Sequence, residues 1–346
     1  MSLHFTGQLP LTPLPTPVTR QRSHYDPALS VTALGGGHGL YATLSALRLI
    51  AGEITAIVTV ADDGGSSGTI RQEMDVLPPG DLRMALAALC DDTDWGRTWH
   101  DTLQYRFSTR PDSEGTLNNH ALGNLLIVAL WEQLGNPVDG LRWAGALLGA
   151  RGSVLPMSTV PLTISGTVLA DHDNGGLTTR TVSGQVALAT AAAQGRVSHI
   201  SLFPADAPAT PESLEAMELA DWVILGPGSW YTSVLPHLLL PQQRDAVCST
   251  PARRALVMNL ESDTSETTGM SPADHLNVLQ SYAPNLTLDV IIADPDVITQ
   301  RDEFRAAAEA LKAEVVFSRV MSKQSPGVHD PLRLAVALHE AFDRFD

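Results

Sequence analysis

Only two of the 346 residues are cysteine, Cys90 and Cys248. Two residues so far apart give neither a disulfide framework nor a zinc spacing, and fit reduced thiols in a cytosolic protein. Positive charge is scarce as well: 22 Lys and Arg stand against 38 Asp and Glu, a formal net charge of −16. That argues against a nucleic-acid partner, because neutralising phosphates takes clustered Lys and Arg. No uninterrupted apolar run approaches the roughly 18 residues needed to cross a bilayer, and the N-terminus lacks the basic and apolar segments of a signal peptide. The expectation is a cytoplasmic protein with no membrane span. What the chain has in quantity is apolar side chains, 44% of the total. At this length roughly three quarters of the unfolded surface is buried on folding, so the core needs no staple.

Residues 1–28 hold Pro10, Pro13, Pro15, Pro17 and Pro27 with little apolar periodicity and read as a flexible tail. Residues 29–346 read as a single domain. From Ser30 onward short β-rich runs alternate with helical patterns. Val31–Leu34 and Ile54–Val60 have the composition of strands buried on both faces. Ile200–Phe203, Trp222–Leu225, Ala255–Asn259, Leu288–Ile292 and Val315–Phe317 repeat the theme, with helices expected over Leu40–Ile50, Pro272–Tyr282 and Gln300–Leu311. The alternation predicts an α/β fold, a doubly wound and mostly parallel sheet with helices on both faces. Two stretches interrupt it. Asp81 to Gly149 reads as a helical insertion, with Leu122–Leu134 and Val138–Leu148 its clearest pieces, and Val154 to Val186 reads as a β-hairpin insertion.

Ligands of open α/β sheets bind beyond the carboxyl ends of the strands, so the loops there carry the candidates. Gly35-Gly36-Gly37-His38-Gly39 lies between a strand and a helix, where glycines allow close approach and the helix N-terminus offers unpaired N–H groups. This suits a phosphate or diphosphate; a tight turn with no ligand is the plain alternative. No Gly-Lys-Ser/Thr follows, so it is not a P-loop. Next comes Asp62-Asp63-Gly64-Gly65-Ser66-Ser67-Gly68. Asp62 stands near the separation from the first loop at which a dinucleotide fold places a ribose-binding carboxylate. Asp62 or Asp63 could instead hold a divalent cation, Ser66 and Ser67 add donors, and turn capping remains open. Gly64-x-Ser66-x-Gly68 also matches a nucleophile elbow. The two acids upstream oppose an oxyanion, however, and the order Asp263, His275 alone does not make a triad.

Asp81 can cap the helix after Pro78-Pro79-Gly80, and Arg83 could bridge to Asp62 or Asp63 or hold a phosphate. His120 and Asn124, before an apolar helix, could read a base, sugar or phosphate. Gly226-Pro227-Gly228-Ser229-Trp230-Tyr231-Thr232-Ser233 follows another strand and reads as a second anion cradle, with Trp230 or Tyr231 free to stack on a base or sugar. His329-Asp330-Pro331 reads as the cap of the last helix. A chain at −16 does not draw in an anion by its overall field. Backbone amides, Arg71, Arg83, Arg151 and a bridging Mg2+ are the expected local donors.

Together and in this order, Gly35–Leu40 (GGGHGL), Val58–Gly68 (VTVADDGGSSG), Leu77–Arg83 (LPPGDLR), Leu122–Ile127 (LGNLLI), Gly226–Ser233 (GPGSWYTS) and Ala273–His275 (ADH) resemble the YvcK family of gluconeogenesis factors, relatives of the CofD 2-phospho-L-lactate transferases. The resemblance spans nearly the whole folded chain and implies a Rossmann-like fold. It implies a cytoplasmic binder of UDP-sugars such as UDP-N-acetylglucosamine, linked to cell shape and wall synthesis on gluconeogenic carbon sources. Regulatory protein partners and a homo-oligomeric, dimeric state are expected with it. On that reading Gly36, Gly37, His38, Gly39, Gly226, Gly228, Ser229 and Tyr231 belong to the ligand site, with Asp62, Asp63, Ser66, Ser67, Arg83 and Asn124. The alternative is a CofD-like transferase acting on a deazaflavin, with Asp63 and Asp81 holding Mg2+. A nicotinamide-dependent dehydrogenase rests on fold analogy alone. The chain departs from the family pattern at His38 (usually Thr), Met84 (usually Asn) and Val328 (usually Arg), which puts ligand preference in question more than fold.

Overall fold

The computed structural model describes residues 25–109, 115–171, 177–261, 264, 266, 267 and 269–345. Its strands are β1 (Asp26–Gly35), β2 (Ala51–Val58), β3 (Ser153–Pro156), β4 (Thr163–Asp171), β5 (Leu177–Ser183), β6 (Arg196–Phe203), β7 (Trp222–Leu225), β8 (Arg253–Val257), β9 (Val290–Ala293) and β10 (Glu314–Phe317). Seven form one sheet in the order β10-β9-β8-β7-β1-β2-β3, every neighbouring pair parallel. The central strands bury side chains of both faces: Val223, Ile224 and Leu225 of β7, and Ile57 and Val58 of β2, are fully enclosed. Burying an aliphatic side chain of this kind contributes roughly 1.5–3 kcal/mol, which is why the β-branched runs sit at the centre.

The chain runs outward from β1 through β2 to β3 on one side, then returns and runs outward from β7 through β8 and β9 to β10 on the other. The order therefore reverses between β1 and β7, and the loops leaving their carboxyl ends part to opposite faces and leave a crevice.

Helices α1 (Gly37–Leu47), α2 (Gly65–Met74), α3 (Gly80–Leu89), α4 (Asp94–Gln104), α5 (Leu122–Leu134), α6 (Pro137–Leu148) and α7 (Gln185–Ala192) belong to the first half. The expected helical insertion is α3 to α6. Among the later helices, Pro272–Tyr282 has the expected Ser271 cap, with Asp274 completing a capping box, and Asp330 caps Pro331–Phe342 through the amides of Leu332 and Arg333.

Two strands differ from expectation. Ser153–Pro156, expected as hairpin material, is the edge strand of the main sheet beside β2. Ile200–Phe203, expected in the main sheet, belongs to β6 of a separate antiparallel sheet ordered β5-β4-β6. Alternation reports which face of a strand is buried, and says nothing about which sheet it joins. β1 also opens at Asp26, earlier than the expected start; the rest of the expected tail, residues 1–24, lies outside the described residues. One continuous cluster of buried apolar residues runs from the main sheet into the small one. Among the described residues no helix is long and apolar enough to cross a membrane.

Candidate functional site

The crevice between β1 and β7 is built by backbone contact. β1 ends at Gly35, Gly36 is the N-cap of α1, and β7 ends at Leu225 before Gly226-Pro227-Gly228. A side-chain carbon at Gly39 would meet the Pro227 carbonyl oxygen and come within 2.6 Å of the Gly228 Cα. At Gly36 it would stand 2.5 Å from Asp81 Oδ2 and 2.6 Å from Thr59 Cγ2. Gly39 needs glycine because the backbone of one loop packs on the other, and Gly36 because the Asp81 and Thr59 side chains close over it. Between them opens a cavity of about 530 Å³ floored by Gly36, Gly37, His38 and Gly39 and walled by Gly228, Ser229, Asn259, Glu266 and His329. The α1 amides of His38 and Gly39, in the first turn, have no intrahelical acceptor and carry the positive end of the helix dipole.

Asp81 reaches this cavity and its carboxyl accepts from the Gly37 N–H, so it does not cap its own helix as expected. Burial, and then the neighbouring Asp62 carboxylate, push its pKa up to about 7. The Asp62 carboxyl is also raised, chiefly by burial. It accepts from the Gly64 N–H at 2.9 Å and from the Ser67 hydroxyl, whose oxygen in turn accepts from the Gly80 N–H at 3.0 Å. Ser67 is thus a strut between the two acidic segments rather than a lining residue.

The second acid of the pair points elsewhere. Asp63 Oδ1 accepts from the Val186 N–H at 3.0 Å, in the first turn of α7. The carboxylate whose charge acts on Asp81 is that of Asp62, whereas Asp63, expected to share a metal with Asp81, is engaged by the Val186 amide. Among the described residues no three His, Cys, Asp or Glu side chains converge on a common point. Two half-buried carboxyls beside a helix N-terminus, Asp81 feeling the charge of Asp62, nonetheless fit Mg2+, which takes one or two carboxylates and leaves its other positions to phosphate and water.

The remaining candidates lie apart from the cavity. Ser66 Oγ accepts from Asn124 Nδ2 at 3.0 Å and from the Ala121 N–H at 3.4 Å, and meets His120 Nδ1 at 3.1 Å. Asn124 Oδ1 accepts from Arg83 Nε at 2.9 Å. Arg83 is buried, its pKa lowered to about 10 first by desolvation and then by Arg106; it makes no bridge to Asp62 or Asp63. Arg71 donates to Thr163 Oγ1 at 3.0 Å, and Arg151 stacks over the Tyr25 ring at 5.5 Å. Among the described residues no Lys or Arg lines the cavity; their charged and titratable contribution is Asp81, Glu261 and Glu266 with His38 and His329. The expected arginine donors are thus absent from it.

The Gly226–Ser233 loop also differs from a donor cradle. Gly226 N–H is bonded to Leu34 O at 3.1 Å and Gly228 N–H to Asn259 Oδ1 at 2.9 Å. Trp230 is buried and stacked on His275 with ring centroids 4.8 Å apart. Tyr231 is buried too, its hydroxyl meeting Val197 O and Met270 Sδ at 3.5 Å, so neither ring can stack on a ligand in this cavity. β7 is buried, and the loop that follows it turns these rings inward, which the polarity of the neighbouring residues does not reveal. Of the weak triad, His275 is in the core under Trp230 and Asp263 lies outside the described residues.

Sequence reasoning missed Asn259, Glu261 and Glu266. Asn259 and Glu261 follow the carboxyl end of β8, where the strand-end rule points; nothing local marks Glu266. His329 is buried with its pKa lowered to about 4 by desolvation, and Nε2 donates to Met258 O at 3.2 Å, leaving a neutral imidazole at the wall. The three departures His38, Met84 and Val328 all line this one cavity.

A family model described as "2-phospho-L-lactate transferase CofD" matches residues 31–328. A Mycobacterium tuberculosis protein named "Putative gluconeogenesis factor" is 48% identical over 311 residues, covering 89% of each chain. The Bacillus subtilis "Gluconeogenesis factor" is 33% identical over 323 residues, covering 89% of this chain and 96% of that one. A crystal structure of a UPF0052 family member from Bacillus halodurans aligns with a TM-score of 0.78 at 31% identity, over 90% of this chain and 98% of the other.

Proposed function

This chain belongs to the CofD family, in the branch of the gluconeogenesis factors, and from that premise we propose that it is a cytoplasmic regulatory protein that binds a nucleotide sugar such as UDP-N-acetylglucosamine. Its output would be control of cell shape and wall synthesis during growth on gluconeogenic carbon sources, delivered through protein partners. The observation that carries this reading is the crevice at the sheet's reversal point, where the α1 N-terminus meets Gly228 so closely that only glycine fits at Gly39. Such a floor holds a diphosphate by backbone amides and helix dipole, and needs no arginine.

The lining supports binding more than turnover. Among the described residues no nucleophile paired with a base lines the cavity; the Ser66–His120 contact is outside it. The anionic lining sets the problem that the ligand site must solve. Asp62 and Asp81 are the residues that would hold Mg2+, and the cation would shield diphosphate charge beside the Gly37 amide. Asp81 keeps the Gly37 peptide oriented, and Ser67 keeps Asp62 in place.

The same acidic pair favours a second reading, a CofD-like transferase joining a phospholactyl group to a deazaflavin. A thermal-shift panel separates the two. UDP-N-acetylglucosamine, GDP plus deazaflavin with Mg2+, and NAD are compared at matched concentrations. A ligand at 100 times its Kd stabilises by about 2.7 kcal/mol. Stabilisation by the first is expected; stabilisation only by the second would transfer the protein to the enzyme reading.

A further inference from the structure

The two sides of the cavity differ in what they can offer, because on one side the protons are already committed. Pro227 has no N–H, and the Gly228 N–H is given to Asn259, whose Nδ2 returns a bond to Gly228 O at 2.8 Å. The Thr232 hydroxyl donates to Glu266 Oε1 at 3.1 Å, and the Ser229 hydroxyl and Tyr231 N–H also stabilise that carboxyl. A hydroxyl has one proton, so once it is given only lone pairs remain for anything else. Glu266 is 9% exposed, and its Oε2 is buried and finds no hydrogen-bond partner among the described residues. This side of the cavity is therefore built of acceptors, with Glu261 adding a further acid. The floor of the cavity, at the first turn of α1, offers the free amides of His38 and Gly39, with the Gly37 N–H given to Asp81.

We propose that the acceptor side, formed by Ser229 and Glu266, seats the hydroxyl-rich, hydrogen-bond-donating half of the ligand, the sugar of a nucleotide sugar, and that Glu266 is the residue that selects for it. The proposal rests on the nucleotide-sugar reading and fixes the ligand's direction: phosphates on the His38 and Gly39 amides, sugar toward Glu266. A phosphate at Glu266 would meet a carboxylate and spent hydroxyls. A sugar hydroxyl or amide N–H there completes the open valence of Oε2, and a buried acceptor with a charged partner is among the stronger discriminators in recognition. Burial, which raises the Glu266 pKa, strengthens the bond that a neutral donor makes there.

The test compares UDP with UDP-N-acetylglucosamine by calorimetry on the wild type, Glu266→Gln and Ser229→Ala, each checked for an unchanged melting profile. The wild type should bind the sugar nucleotide more tightly than UDP, and Glu266→Gln should shrink that preference by roughly tenfold or more while UDP affinity holds. Ser229→Ala, which leaves Glu266 in place, should reduce the preference less. If Glu266→Gln weakens both nucleotides alike, or neither, the proposal is overturned and the nucleotide reading survives. If the wild type binds neither nucleotide, that reading falls instead. N-acetylglucosamine alone at millimolar concentration, followed by saturation-transfer NMR, then decides: a signal lost in Glu266→Gln supports a sugar seat, and no signal overturns it.

Discussion

Replacing Asp81 by Asn tests the central electrostatic claim, that an unneutralised acidic pair stands beside the α1 N-terminus. Asp81 titrates near 7 in the folded chain because of burial and the adjacent Asp62. Its value in the unfolded chain is about 3.9. Between those values the folded state holds a proton that the unfolded state has lost, so stability falls as pH rises through that window. A difference of about 3 units at about 1.36 kcal/mol each sets an upper limit of about 4 kcal/mol. Asp81 is only partly enclosed, and solvent screening brings the expected figure nearer 2 kcal/mol. Asn keeps the shape and the acceptor for the Gly37 N–H, and carries no charge. Urea unfolding at about pH 8 in the absence of divalent cations should therefore show Asp81→Asn more stable than the wild type by about 2 kcal/mol. At about pH 4 the two should coincide. Mg2+ should narrow the gap at the higher pH by stabilising the wild type alone. A difference that does not change with pH, or a variant less stable than the wild type at pH 8, would refute the reasoning.

Gly39→Ala should lower stability by about 1–3 kcal/mol and abolish nucleotide-dependent stabilisation, since its methyl group collides with the Pro227 carbonyl; calorimetry showing normal nucleotide affinity would mean that the loops part freely. Asp63→Ala removes the bond to the Val186 N–H and should cost about 1 kcal/mol in chemical denaturation with ligand affinity intact. Asp62→Ala should do the reverse, weakening Mg2+-dependent binding with little loss of fold, and equal effects of the two variants on affinity would remove the distinction drawn between them.

Part of the candidate site is legible in the chain itself. The glycine runs at Gly35–Gly39 and Gly226–Gly228 mark backbone approach, and both occur where a strand gives way to a helix. The paired acids Asp62 and Asp63 were equally visible, but adjacent residues on a turn project in different directions, and only one faces Asp81. Ser66, Ser67, Arg83 and Asn124 were credited to the ligand because polar residues in a motif look available. Ser66, Asn124 and Arg83 are engaged with one another and Ser67 with Asp62 and Gly80, and hydrogen-bond commitment is a property of the neighbours that folding supplies. Trp230 and Tyr231 illustrate the same limit for apolar groups: both rings sit in the interior, one against His275 and the other near Val197.

The sequence by itself determined the layered α/β architecture, the caps at Ser271 and Asp330, and the two loops that meet at the cavity, because periodicity, glycine freedom and capping chemistry act over a few residues. Tertiary structure decided which sheet Ser153–Pro156 and Ile200–Phe203 joined, which carboxyl met Asp81, and that Asn259 and Glu266 close the wall. Those outcomes depend on contacts between segments far apart in the chain, where burial and the allotment of each proton are settled only once the neighbours are in place.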